Sequence, residues 1–338
     1  MKKAFITGVT GQDGSYLANF LLKKGYKVFG GIRRSSSPNF WRLNYFSLLE
    51  NDNFKILEFD LLDSANTLSI IKTVNPDEIY NLAAQSFVSV SFEQPSVTTK
   101  INSLGVLNLL DAIRLTNPEI KFYQASTSEM FGRVREIPQK ETTDFYPRSP
   151  YGISKLYSHW LTINYRESYN IFACSGILFN HESPLRGIEF ITRKITDSIA
   201  KIIKGNLDYV EIGNLEAKRD WGFAGDYVEG MYLMLQQTKA DTYLLATNKT
   251  YSVRDFINIT CKHADINISW EGEGINEVGI NKSTGKQIIK VNKKFFRPAE
   301  VDILIGSYDK AKEHLNWEPK LTLEDLSLMM LKEDLKRN

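Results

Sequence analysis

Three features of the sequence predict an α/β fold. Short apolar strands alternate with amphipathic helices from the first residues to about Phe179. A glycine-rich turn, G-V-T-G-Q-D-G, separates the first strand from the first helix. The alternation stops at a polar, Pro/Gly-punctuated loop, N-H-E-S-P-L-R-G, that starts at Asn180. Strands and helices alternating at this pace mean parallel strands with helices on both faces. The expected architecture is a Rossmann-type doubly wound parallel sheet with a smaller mixed C-terminal domain for the substrate.

Each element follows in turn. Ala4 to Thr7 is a short apolar strand ending at the glycines, and Ser15 to Lys24 carries Leu17, Phe20, Leu21 and Leu22 at helical spacing. Lys27 to Ile32 and Phe54 to Phe59 read as strands, Ala65 to Val74 as a helix and Glu78 to Ala83 as a strand. A long helix is expected from about Val97 to Arg114, with Ile101, Leu104, Leu107 and Ile113 on one side. Ile120 to Ala125 is the fifth strand. Ser149 and Pro150 open the next helix as cap and first-turn proline, and Ile171 to Phe179 returns as a strand. Helical patterns then cover Ile191 to Lys204, Tyr227 to Leu235, Val253 to Ala264 and Leu321 to Leu331, while the glycine-rich stretch Glu271 to Lys290 reads as a loop or hairpin. The expected division is a nucleotide domain over 1–180 with a return segment at about 218–247, and a substrate domain over 181–217 and 248–338.

Composition narrows the function. The 338 residues are 42% hydrophobic and 24% charged, with 42 basic and 40 acidic side chains and a net charge of +2. Such a balance asks for neither nucleic acid nor a membrane. No apolar run approaches the ~20 residues of a spanning helix. The start, M-K-K-A-F-I-T-G, runs straight into a strand and lacks the features of a signal peptide. Two cysteines far apart, Cys174 and Cys261, suit structural thiols in a reduced, cytoplasmic protein. Four histidines without close spacing give no metal signature.

Gly8, Gly11 and Gly14 follow a strand and precede a helix, so that the helix N-terminus can reach a pyrophosphate. After the second strand, where a carboxylate would hold a ribose 2′-hydroxyl, stand Arg33, Arg34 and Ser35. Cations and hydroxyls there suit a 2′-phosphate, hence NADP, with Arg33 the first choice because a guanidinium grips phosphate with two bonds. Asp60, closing the third strand, is expected near the adenine. Leu82, Ala83 and Ala84, closing the fourth, leave room for a cofactor to pass.

Tyr151 and Lys155 stand four apart in P-Y-G-I-S-K and share one helical face. There the ammonium can lower the phenol's pKa until it takes a proton at neutral pH. The fifth strand delivers Ser126, Thr127, Ser128 and Glu129 to the ligand-facing edge. These groups permit an ordered chemistry. Tyr151 removes a hydroxyl proton while its carbon gives hydride to NADP; Lys155 steadies the phenolate; Thr127 orients the hydroxyl. The new ketone acidifies the neighbouring C–H, Glu129 takes that proton, and a hydroxyl one carbon further leaves. Return of the hydride completes a dehydration with no net redox change.

The sequence resembles the GDP-mannose 4,6-dehydratases of the extended short-chain dehydrogenase/reductase superfamily nearly end to end. The resemblance rests on T-G-V-T-G-Q-D-G-S-Y-L, Q-A-S-T-S-E, Y-P-R-S-P-Y, L-F-N-H-E-S-P, R-D-W-G, Y-S-V-R and F-R-P-A-E-V. It implies catalytic roles for Thr127, Glu129, Tyr151 and Lys155, with Ser128 where dTDP-glucose dehydratases carry an aspartate. It implies NADP contacts at His181 and Arg186, joined by Thr10, Gln12, Asp13 and Leu61. It implies GDP contacts at Asn180, Lys194, Arg219 and Arg297, joined by Ser86 and Glu300. Members assemble as dimers or tetramers, and the segment Arg33 to Arg42 reaches toward a neighbour's cofactor; Phe40, Trp41 and Tyr45 fit such an interface or their own core. Members often carry arginine where this chain has Leu185, and histidine where it has Phe87 and Phe223. Those apolar replacements keep a GDP-manno-heptose open beside GDP-mannose as substrate. An epimerase or 4-reductase on the same scaffold, and a nucleotide sensor without catalysis, are the competing readings; Glu129 speaks against the first and the intact catalytic group against the last.

Overall fold

A computed structural model describes residues 1–296 and 303–338 of the chain. Seven parallel strands form the central sheet: β1 (Lys3–Thr7), β2 (Lys27–Ile32), β3 (Phe54–Glu58), β4 (Glu78–Asn81), β5 (Lys121–Thr127), β6 (Ala173–Leu178) and β7 (Thr242–Leu245). Their order is β7-β6-β5-β4-β1-β2-β3. The order reverses beside β1, which opens a crevice at the C-terminal edge between β1 and β4. Adjacent residues of each strand face opposite layers. Ile6, Tyr80 and Tyr123 therefore pack with the helices on one face, while Phe5, Ile79 and Phe122 pack with those on the other. Burial on both faces explains why the inner strands read as short apolar runs.

One element adds to the sequence expectation and one differs from it. β7 falls in the return segment, where the sequence gives a strand no bounds: T-Y-L-L is too short to carry a pattern of its own, and it becomes a strand by pairing with Ser175–Leu178 of β6. The long helix from Val97 to Arg114 is instead Pro95–Thr99 and Gly105–Thr116 joined by a π-helical turn, Lys100–Leu104. That turn directs Asn102 inward, where its side chain bonds both backbone groups of Gln85 and the Ser154 hydroxyl. No local spacing signals such a widened turn.

A second core lies beyond the sheet's C-terminal edge. The helices Ile191–Ile203, Val253–His263 and Leu323–Arg337 enclose Ile195, Ile199, Trp221, Phe256, Ile257, Leu326 and Met330. Over Glu271 to Lys290 the hairpin reading holds: Val278–Asn281 pairs antiparallel with Lys286–Val291, and Ile268–Glu271 adds a third strand. The helix Ala224–Leu235 returns to the sheet. So does Trp317, fully enclosed with its Nε1 donating to the Asp226 carbonyl at 2.7 Å. Both cysteines are buried and unbridged. Among the described residues, no helix is long and apolar enough to cross a membrane.

Candidate active site

A cleft of about 1050 Å³ runs between the sheet edge and the second core. Its floor is the glycine turn. Gly8 has φ +69°, and a Cβ there would lie 2.9 Å from the Ala83 Cα, so only glycine lets the β1 turn meet the end of β4. The Thr7 hydroxyl, which accepts from the amides of Leu82 and Ala83, fixes the same junction. Gly11 caps the helix Gln12–Lys23 without a side-chain hydrogen bond. The first-turn amides are thus left for an anion, as a pyrophosphate requires. A Cβ on Gly14 would lie 2.4 Å from the Gly8 carbonyl oxygen, a backbone atom. Gly14→Ala is expected to cost about 1–3 kcal/mol of stability by overpacking and to release bound cofactor; thermal melting and cofactor content after purification check both.

Gln12 and Asp13 also fasten the turn to the loop after β6. Gln12 donates to the His181 carbonyl at 3.0 Å and accepts from Ser183 at 2.8 Å. Asp13 pairs with His181 Nε2 at 2.7 Å, while His181 Nδ1 meets the Phe179 carbonyl at 2.7 Å and the ring stacks on Tyr227. Burial pushes the Asp13 carboxyl up, but the charge and hydrogen bond of His181 outweigh it and hold it down at about 2. The pair raises His181 against the opposing effect of burial. This ion pair therefore strengthens the two-layer junction above the ordinary carboxylate range, is lost on acidification toward pH 2, and is lost at the alkaline end as the raised His181 gives up its proton.

The proton-moving groups meet at the ends of β5 and the helix Pro150–Tyr169. Ser149 caps that helix through the Gly152 amide at 3.0 Å, which sets Tyr151 in its first turn. Gly152 allows the helix to press on the turn Ser128–Met130, since a Cβ there would lie 2.7 Å from the Glu129 carbonyl oxygen. Thr127, Ser128, Glu129, Tyr151 and Lys155 all line the cleft. Burial pushes the Tyr151 phenol up to about 12; a hydrogen bond with Thr127 pulls it down, the Glu129 charge pushes it up and Arg186 pulls it down. The Lys155 ammonium donates to the Ala125 carbonyl at 2.9 Å and lies 6.0 Å from the centre of the Tyr151 ring. Burial lowers Lys155 to about 8.

The remaining expected residues separate into groups. Leu82, Ala84, Ser86, Asn180, His181, Arg186, Lys194 and Arg219 line the cleft with the glycine turn. Arg186 faces Glu182, Nε to Oε2 3.1 Å, and its guanidinium lies 3.6 Å over the Phe190 ring. Ala83 packs behind Gly8. Thr10, Arg33, Asp60 and Leu61 are not in the lining. Leu61 is buried in the sheet core because it packs on Gly105. Asp60 turns back to the Leu62 amide at 2.9 Å. Thr10 offers its carbonyl to Arg42, and Arg33 is exposed just beyond β2. Arg297 and Glu300 lie outside the described residues. Of the three apolar departures, only Phe87 reaches the cleft. Leu185 is fully buried, its carbonyl accepting from Arg42, and Phe223 packs edge-on against Tyr16. Phe40 joins the sheet core, and Trp41 and Tyr45 lie beside the Arg337 guanidinium of the same chain. Phe190, edge-on to Phe87 at 5.5 Å, is a cleft residue the sequence reading missed; an aromatic before a helix gives no signal. Among the described residues, no cluster of His, Cys, Asp and Glu could hold a metal.

Comparison with known proteins decides the family. A sequence model described as GDP-mannose 4,6 dehydratase matches residues 5–330. The chain belongs to the GDP-mannose 4,6-dehydratase family. It is 52% identical over 341 residues to the human GDP-mannose 4,6 dehydratase, covering 98% of this chain and 91% of the relative. A Vibrio cholerae GDP-mannose 4,6-dehydratase is 49% identical over 350 residues, covering 99% and 94%. Among solved structures, a dTDP-glucose 4,6-dehydratase from Bacillus anthracis superposes with a TM-score of 0.82 at 19% identity, covering 99% of this chain and 97% of that one. At that identity the likeness speaks for the fold, and it confirms for this dehydratase-family chain the parallel sheet with its smaller mixed C-terminal part.

Proposed function

We propose that the protein is an NADP-dependent GDP-sugar 4,6-dehydratase that converts GDP-mannose to GDP-4-keto-6-deoxymannose. One arrangement carries the reading: Thr127, Tyr151 and Glu129 share one end of the cleft, close enough for Thr127 to bond the phenol and for the Glu129 charge to raise it. The backbone turn at Gly8, Gly11 and Gly14, with an uncapped helix behind it, fits a dinucleotide pyrophosphate. A bound nicotinamide supplies the acceptor for hydride from C4 and the donor that returns it to C6.

The side chains do the rest. Tyr151 takes the proton of the 4-hydroxyl as a phenolate steadied by the Lys155 ammonium one helical turn away, and Thr127 orients that hydroxyl beside the phenol. The resulting ketone acidifies the C5–H bond, and Glu129 takes that proton. The hydroxyl on C6 then leaves as water and needs a proton. Ser128 is a poor acid, whereas Glu129 has just become one, so the proton taken from C5 is delivered to the departing hydroxyl, and the proton held by Tyr151 goes to C5 as C6 receives hydride, which restores both side chains. Lys194 and Arg219 supply cations for the diphosphate, with Asn180 and Ser86 beside them on the wall and, outside the described residues, Arg297 and Glu300. The segments 181–217 and 248–338 thus serve the GDP-sugar, while 1–180 with 218–247 serves NADP.

Phe87 on the cleft wall favours a second substrate reading, a GDP-manno-heptose, because an apolar ring leaves no unpaired donor against a longer side arm. Incubation with each GDP-sugar, read by mass spectrometry, tests both. Loss of one water from GDP-mannose without lasting nicotinamide absorbance is the expected result. Reduced cofactor that accumulates means a dehydrogenase, and unchanged mass means an epimerase or a sensor.

For the cofactor, Arg33 beyond β2 stands where the adenosine ribose ends in this fold. Arg33→Ala is expected to weaken NADP binding about tenfold or more by loss of a charge-assisted bond, with NAD binding unchanged; calorimetry on both cofactors checks it. For assembly, Ile153, Tyr157 and Trp160 are 58%, 46% and 55% exposed on one face of the Tyr151 helix, which supports a homo-oligomer, a dimer or tetramer. The unbridged cysteines suit a cytoplasmic setting.

A further inference from the structure

We propose that His159 is a positioning residue for this reaction: with Ser175 and Ser126 it forms the second of two attachments that fix the Tyr151–Lys155 helix on β5. The proposal rests on the dehydratase reading above for its catalytic readout.

The first attachment is the bond from Lys155 Nζ to the Ala125 carbonyl, 2.9 Å. One bond at the end of a flexible side chain is a loose tie between this helix and β5, and the bonds of Ser154 and Ser158 to Asn102 hold its other side. The second attachment lies one helical turn on. His159 Nδ1 meets the Ser175 hydroxyl at 2.8 Å, and Ser175 meets the Ser126 hydroxyl at 2.8 Å. Ser126 also approaches Nδ1 at 3.5 Å. The Ala125 carbonyl and the Ser126 amide belong to one peptide unit. The two attachments therefore close a ring: helix from Lys155 to His159, then Ser175 on β6, Ser126 on β5, and back through that peptide to Lys155. The next residue on the strand is Thr127, which bonds the Tyr151 phenol.

His159, Ser175 and Ser126 are all at least nine-tenths buried. Burying three polar groups is unfavourable unless they bond one another in a fixed geometry, and that requirement specifies one position of the helix. Phe145 and Trp160 stand edge-on to the imidazole at 5.2 and 5.5 Å and prevent it from turning away. Burial, with the Arg166 charge, lowers His159 to about 4, so the ring stays neutral at working pH and Nδ1 keeps its hydroxyl partner. Nothing in the proton transfers uses His159, and the network reaches the cleft only through Ser126.

The test compares His159→Phe, which keeps an aromatic ring between Phe145 and Trp160, with His159→Asn, whose amide stands near Nδ1. The Phe variant, loaded with cofactor, should lose about tenfold to a hundredfold in kcat through misplacement of Tyr151, with KM for GDP-mannose within about twofold. The Asn variant should recover most of that loss. Equal kcat in Phe and Asn variants, or wild-type kcat in the Phe variant, overturns the proposal. If the Phe variant does not fold, Ser175→Ala must show the same kcat loss with unchanged KM, and full activity in it overturns the proposal. A second readout needs no substrate. Competitive acetylation of Lys155, read by peptide mass spectrometry across pH, should titrate near 8 in the wild type. It should move in the Phe variant as the ammonium leaves the Ala125 carbonyl, and unchanged titration overturns the proposal. Should wild-type protein leave GDP-mannose intact, the substrate reading fails by itself and this labelling still decides the positioning role.

Discussion

Glu129→Gln is expected to separate the two halves of the reaction. The amide cannot take the C5 proton, so water loss should fall by about 10²–10⁴-fold, the usual worth of a general base. Oxidation at C4 should survive, because the groups that perform it, Tyr151 and Thr127, remain. It should also become easier at lower pH. The Glu129 charge pushes the phenol up, and removing that charge lowers the phenol's pKa, which raises the fraction able to accept a proton at a given pH. The variant should therefore accumulate reduced nicotinamide on mixing with GDP-mannose, with the acid limb of the oxidation step displaced toward lower pH. Stopped-flow absorbance follows the oxidation, and mass spectrometry follows the water. Elimination at the wild-type rate would remove Glu129 from the mechanism.

The contrast between what the sequence disclosed and what it hid follows the range of the interactions. The glycine turn, Tyr151 with Lys155, and the Ser149–Pro150 helix start depend on neighbours within a few residues, so spacing alone reveals them. The sheet follows from strand–helix alternation, a local signal carried by six strands before Asn180. The Asp13–His181 pair joins residues 168 apart, and no spacing announces it. β7 is a strand only because β6 offers an edge. The side chain of Leu185 was legible as apolar but its direction was not: burial turns it into the core, away from the substrate side where its position in the motif suggested it would lie. The same limit applies to Lys155. Four-residue spacing puts it on the face of Tyr151, yet the bond it makes is to a backbone carbonyl of β5, which no spacing announces.

Tyr151→Phe should abolish the reaction at its first step. Loss of the phenol oxygen removes the acceptor for the 4-hydroxyl proton, and kcat is expected to fall by about 10³-fold for both oxidation and water loss. That common loss distinguishes it from Glu129→Gln, in which oxidation persists. Binding of GDP-mannose should change little, because Lys194, Arg219 and Asn180 are untouched. Stability gives an independent check with a definite sign. The phenol sits at about 12 in the fold, above the value near 10 of an open chain, so the folded state favours its proton. Its contribution is fully present below pH 10 and is lost as pH rises from about 10 to 12. Tyr151→Phe has no proton to lose, so its melting temperature should decline less steeply than that of the wild type across this interval. A variant with wild-type turnover would show that another group accepts the hydroxyl proton; one with the wild-type alkaline decline would show that the phenol ionises in the fold as readily as in open chain.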